Sequence, residues 1–146
     1  MATAETERPT GLTKDAGWEI GVSRTFACDL DHAWTVLTSR PGVERWLGHG
    51  VLLPREKGGT FETAEGVTGE VRSFRPLDRL RLTHQAPGQA QSSIVQIALN
   101  ERRGKHGPKT AVTFHQERLT SASEREAQRA HWQAVMDELA PDLEAS

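Results

Sequence analysis

Cysteine occurs once in this sequence, at Cys28, and tyrosine not at all. A lone cysteine excludes a disulfide framework and a cysteine-based metal site, and it is expected as a small buried hydrophobe. With no tyrosine, the four tryptophans carry most of the bulky apolar surface. Long hydrophobic runs are missing too, which argues against a membrane-spanning helix. The opening MATAETERPTG lacks the apolar core of a secretion signal, so the expected compartment is the cytoplasm. Neither sign of charge dominates: the formal net charge of −2 gives no general affinity for nucleic acid or an anionic membrane.

Catalytic signatures are equally scarce. No serine sits in a nucleophile elbow, and no pair of carboxylates can be placed on one wall. His32, His49, His106 and His131 are scattered without ligand spacing, so neither a metal nor a cofactor is expected. Asp29, Asp31 and Glu44 read as helix-capping carboxylates. Gly104–Thr110 (GKHGPKT) faintly suggests a phosphate loop, but its spacing, Pro108 and the strand after it all disagree. Glu101 to Lys105 reads as a solvated hairpin tip.

What is present is a clear change of hydrophobic period along a chain of one-domain length. Residues 1–16 are polar and aperiodic and are expected as a flexible tail, with the domain spanning 17–143. Trp18, Ile20, Val22 and Phe26 lie on one face of a first strand. Asp29 or Asp31 then caps a short helix through Thr38 carrying Trp34 and Leu37. Ser39 and Pro41 start a second, ending at Gly48, with Val43, Trp46 and Leu47 as its apolar side.

From Gly50 the period becomes two. Val51–Leu53 reads as a short strand, and Lys57-Gly58-Gly59 as a turn. Residues 60–64, 67–75, 79–85, 92–100 and 109–118 follow as strands, the second changing phase between Val71 and Phe74 as a bulge would. Leu80, Leu82 and His84 face inward, as do Ser93, Val95, Ile97 and Leu99, then Val112 and Phe114; Ile94 falls outside. Finally, Ser123 with Glu126, or Ser121 with Glu124, caps a long helix whose Trp132, Val135, Met136 and Leu139 recur at helical spacing. Pro141 predicts its end at Ala140. The class is α+β: an antiparallel meander whose dry face is covered by the terminal helix.

This order resembles the START-like helix-grip superfamily (SRPBCC), and within it the small bacterial proteins similar to the C-terminal domain of the Hsp90 ATPase activator. The likeness rests on Arg24-Thr25-Phe26 before the Trp34 helix, Val43–Gly48 as an "xxWxG" helix, and Gly58-Gly59-Thr60-Phe61 as a "GGxF" hairpin. Gly69–Val71 through Arg75–Leu80 resembles the "GxV…PxxRL" corner, and Trp132–Leu139 the closing helix. His131 stands where the family carries glycine. The resemblance implies a curved antiparallel sheet wrapped around the C-terminal helix, two short helices after the first strand, and a cavity between helix and sheet.

On this reading the cavity is lined by Trp46, Phe61, Leu82, His84, Val95, Ile97, Phe114, Trp132 and Met136, and the expected occupant is a small hydrophobic molecule bound without catalysis. As core residues, Trp46, Phe61, Trp132 and Met136 need no ligand to explain them. The inward strand residues are of medium size, so an apolar cavity of roughly a few hundred cubic ångströms is expected beneath Trp132, with His84 at its polar end. Two alternatives follow from the same resemblance. One is a cyclase- or hydrolase-like enzyme using His84 as acid or base. The other is a co-chaperone-like module for an Hsp90-type ATPase, a protein partner or homodimer being left open.

Overall fold

A computed structural model describes residues 12–13 and 17–145. The expectation of a flexible tail over residues 1–16 lies outside the described residues except at β1, Leu12–Thr13, which pairs antiparallel with β2, Gly17–Phe26. Two short helices follow, α1 (Leu30–Thr38) and α2 (Arg40–Trp46). Asp29 caps α1 by accepting the His32 N–H at 2.7 Å, and Ser39 caps α2. The sheet continues with β3 (Thr60–Glu62), β4 (Thr68–Arg75), β5 (Arg79–His84), β6 (Ser93–Gly104) and β7 (Gly107–Leu119), and the chain closes with α3, Ala122–Leu143.

The sheet order is β1-β2-β7-β6-β5-β4-β3, antiparallel throughout. The register of β4 on β5 shifts between Val71 and Ser73, the bulge expected from the change of phase. Inward residues Leu80, Leu82, Val95, Ile97, Leu99, Val112 and Phe114 are all buried in one apolar cluster with Ala33, Trp34 and Leu37 of α1, Val43 and Trp46 of α2, and Trp132, Val135, Met136, Leu139 and Leu143 of α3. At about 1.5–3 kcal/mol for each large apolar side chain, burial in this cluster is a large stabilising contribution. Ile94, expected on the outer face, is also covered, but it stands apart from the core cluster.

Several expectations are corrected. Val51–Leu53 is no strand: it pairs with no described residue. β6 and β7 run past the expected ends into the hairpin tip, because backbone pairing continues through Arg102↔Lys109 to Gly104↔Gly107. Of the two expected caps of the helix, Ser121 with Glu124 is the one formed: the Ser121 side chain accepts the Glu124 N–H at 3.0 Å, while Glu124 reaches back to the Thr120 N–H at 2.7 Å. Nor does α3 stop at Ala140. Pro141 sits in its last turn, where the missing N–H forfeits a single helical bond. That turn is held from outside: His32 Nε2 meets the Asp142 carbonyl at 2.8 Å, Arg45 pairs with Asp142 at 3.3 Å, and Leu143 is fully buried.

Candidate functional site

The site lies where α2, the loop after it and the first half of α3 come together over β5 and β7. Helix α2 ends at Leu47, and Gly48 then turns the chain with φ +153. A side chain at Gly48 would collide with Thr63, its Cβ falling 2.8 Å from Thr63 Cβ, so glycine permits both the turn and the close approach. The turn leaves Trp46 pointing inward, its Nε1–H donating to the Leu37 carbonyl at 2.8 Å.

A row of rings crosses the interior from there. Trp46 meets Phe114 with centroids 6.4 Å apart, and Phe114 stacks on Trp132 at 4.6 Å and 10°. His131 lies edge-on to Trp132, at 4.7 Å and 65°. Trp132 Nε1–H donates to Gln116 Oε1 at 3.0 Å, and Gln128 Nε2 donates to the same oxygen at 2.8 Å. Gln116 Nε2 in turn donates to Ser93 Oγ at 2.8 Å, which donates to the His84 carbonyl at 3.2 Å. Gln116 is only 3 % exposed, and this chain satisfies its amide.

Beside the row opens a cleft of about 330 Å³, accessible to solvent. Trp46, Leu47, Val67 and Trp132 supply its apolar surface, His84, Gln128 and His131 its polar wall, and Glu44, Arg45, His49 and Glu65 stand around it. His84 is half-buried; desolvation lowers its pKa, and the charge of nearby His131 lowers it further. His131 is exposed as a residue, yet its ring rests against Trp132. Desolvation lowers its pKa as well, opposed by Glu138. At the rim, His49 Nδ1 lies 2.5 Å from Glu65 Oε2. Hydrogen bonding to Glu65 raises the His49 pKa, and the bonds from the His49 side chain and backbone hold the Glu65 carboxyl at about 2. Trp46 and Trp132 back the cleft but are only 2% and 1% exposed, so what it offers a ligand is their edges, half-buried Val67, two imidazoles biased toward the neutral form, and one fixed ion pair.

Of the residues expected to line a cavity, Trp46, His84 and Trp132 reach this cleft, while Leu82, Val95, Ile97, Phe114 and Met136 do not line it. All five are buried, Phe114 as the middle ring of the row and the other four in the apolar core. Phe61 is buried elsewhere, against Gly69, where a Cβ would come within 2.5 Å of its ring. Sequence reasoning missed Gln116, Gln128 and His131 as parts of the site. Gln116 continues the inward alternation of Val112 and Phe114, and Gln128 stands one turn before Trp132, so period alone could have found both. Among the described residues, no group of three or more histidine, cysteine or acidic side chains could hold a metal ion. Cys28 is buried, and desolvation raises its pKa. No helix among the described residues is long and apolar enough to cross a membrane.

A curved antiparallel sheet closed by a C-terminal helix, with two short helices after the long strand β2, is the helix-grip fold. Solved structures agree. CalU16 from Micromonospora echinospora superposes with a TM-score of 0.73 at 20% identity, over 90% of this chain and 80% of that one. Protein MLL2253 from Mesorhizobium loti gives 0.71 at 19%, over 86% and 96%. The Aha1 dimer from Colwellia psychrerythraea gives 0.69 at 15%, over 86% and 96%. At these identities the likeness establishes the fold alone. No model of a known protein family matches the chain, and no curated protein matches it in sequence.

Proposed function

We propose that the chain binds a small organic molecule with a flat apolar body and a polar edge in the cleft beside Trp132, without chemical conversion. The observation that carries this reading is the juxtaposition, in one open cleft of about 330 Å³, of an apolar floor (Leu47, Val67 and the edges of two buried indoles) with His84, His131 and Gln128. Apolar walls with a few convergent polar groups are the usual make-up of a ligand site. The occupant differs from the purely hydrophobic one implied by a sealed cavity, because the polar wall favours hydroxyl, carbonyl or amide groups that can bond to neutral imidazole. Membership in the family of small proteins similar to the C-terminal domain of the Hsp90 ATPase activator belongs to the same proposal. The motifs in the sequence and the fold shared with Aha1 support it.

The test is a tryptophan-fluorescence titration with a hydroxylated naphthalene. Saturable quenching is expected in the wild type. Val67→Trp should fill the cleft and weaken binding by about tenfold or more, equivalent to roughly 1.4 kcal/mol, with an unchanged melting temperature. Full binding by that variant would overturn the assignment.

Acid–base catalysis is the second reading, favoured by one observation: His131 lies near enough to His84 for their charges to interact. Two imidazoles with lowered pKa facing one cleft could divide the roles of acid and base near neutral pH. It requires that turnover of a bound ester or polyketone fall far more in His84→Leu than binding does. Turnover at the wild-type rate in that variant would remove it.

A further inference from the structure

In the loop after α2, Val51, Leu52 and Leu53 form no hydrogen bond with any described residue, through backbone or side chain. Three consecutive residues thus leave six backbone donors and acceptors without a protein partner. Their burial alternates as in a strand: Val51 is 9% exposed, Leu52 92% and Leu53 6%. A leucine so exposed between two buried neighbours is anchored by them and cannot turn inward.

Next to this segment runs a groove of about 340 Å³, with Ser39, Arg40 and Val43 on one wall and Val51–Leu53 and Arg55 on the other. Arg40 has only a long contact to Glu44, 3.5 Å through Nε, and its side chain is largely in solvent. Arg55 donates to the Thr38 carbonyl at 3.3 Å and has no carboxylate partner among the described residues. The groove therefore combines an unpaired strand-like backbone, an exposed leucine and two guanidiniums whose charge is poorly neutralised.

We propose that this groove is a docking site for an extended peptide segment of a partner protein, one that alternates apolar and acidic residues. The segment would add to Val51–Leu53 as a strand, satisfying the free backbone groups, with its own apolar side chain packed on Leu52 and its carboxylates on Arg40 and Arg55. Charge argues against a second copy of this chain as the occupant. Antiparallel pairing of Val51–Leu53 with itself would gather two copies of Arg40 and Arg55 around one small contact, and like charges at close range oppose it.

Selection of displayed random short peptides on the full chain tests this directly. Enrichment of alternating apolar and acidic sequences is expected. The selected peptide should slow hydrogen exchange at the Val51, Leu52 and Leu53 amides. Binding should weaken by about tenfold or more in Leu52→Asp and in the double variant Arg40→Glu/Arg55→Glu. All these side chains lie at the surface, so melting temperatures should hold, and N-methylation of the peptide backbone should abolish binding. Failure to enrich such sequences over a Leu52→Asp control would overturn the proposal, as would peptides that bind all variants equally. So would concentration-dependent self-association in sedimentation that Leu52→Asp abolishes, which would assign the groove to a second copy.

Discussion

The two halves of α3 are one continuous helix, yet they are held by different physics. From Trp132 to Leu143 the helix buries Trp132, Val135, Met136, Leu139 and Leu143. From Ala122 to His131 it buries no residue, and its attachments are polar: the Ser121 cap, Arg125 Nε–H to the Glu19 carbonyl at 2.7 Å, and Gln128 on Gln116. The apolar half supplies stability through area removed from water. The polar half holds its position through directed bonds and leaves room beside it, and the cleft lies there. A helix apolar along its whole length would close that space; one polar throughout would not dock.

The largest break of this comparison removes the helix altogether. Truncation after Leu119 uncovers the inward faces of Leu82, Val95, Ile97 and Phe114, and the loss exceeds the roughly 5–15 kcal/mol that holds an ordinary domain. No cooperative melting is expected from residues 17–119, and a cooperative transition would contradict the packing account.

A narrower cut separates the halves. Leu139→Ala should destabilise by about 2–5 kcal/mol, since Leu139 is fully buried, whereas Gln128→Ala should cost under about 1 kcal/mol. Equal losses in chemical denaturation would erase the distinction. Gln116→Leu lies between them. It strands the Trp132 Nε1–H in the core at about 1–3 kcal/mol and frees Gln128, so the expected signature is a stability loss together with a shifted Trp132 indole resonance. An unchanged resonance would show that the buried amide does not position the ring.

The smallest effect is that of pH. His84 has a folded pKa below its usual 6.5, so the unfolded chain takes up a proton first. Its contribution is complete above about pH 6.5 and is lost as pH falls through the folded value. His84→Leu should flatten the stability profile below pH 6.5, and an unaltered slope would show that the ring is effectively solvated.

Much of this was legible from period and punctuation. The meander, the capping of both short helices, the bulge in β4 and the apolar face of α3 each depend on residues close in sequence. What was not legible depends on distant ones. Pro141 reads locally as a stop, and only Leu143 in the core and His32 and Arg45 on the Asp142 turn extend the helix beyond it. Val51–Leu53 has the composition of a strand, but no neighbouring strand comes to it. Medium-sized strand residues beneath Trp132 suggested an apolar space with Trp132 on its wall and His84 near its polar end. Both residues line the cleft, but Phe114 stacks on Trp132 and the cleft lies to the side, next to Gly48 and the loop beyond it, a placement that period alone does not give.

The central claim is that a ligand sits in the lateral cleft and not behind the ring row. Intermolecular nuclear Overhauser effects from a bound hydroxylated naphthalene decide between the two. The account predicts contacts to Trp132, Val67 and His84, and none to Val95 or Ile97. Contacts to Val95 and Ile97 without contacts to Val67 would place the ligand inside the core and contradict it.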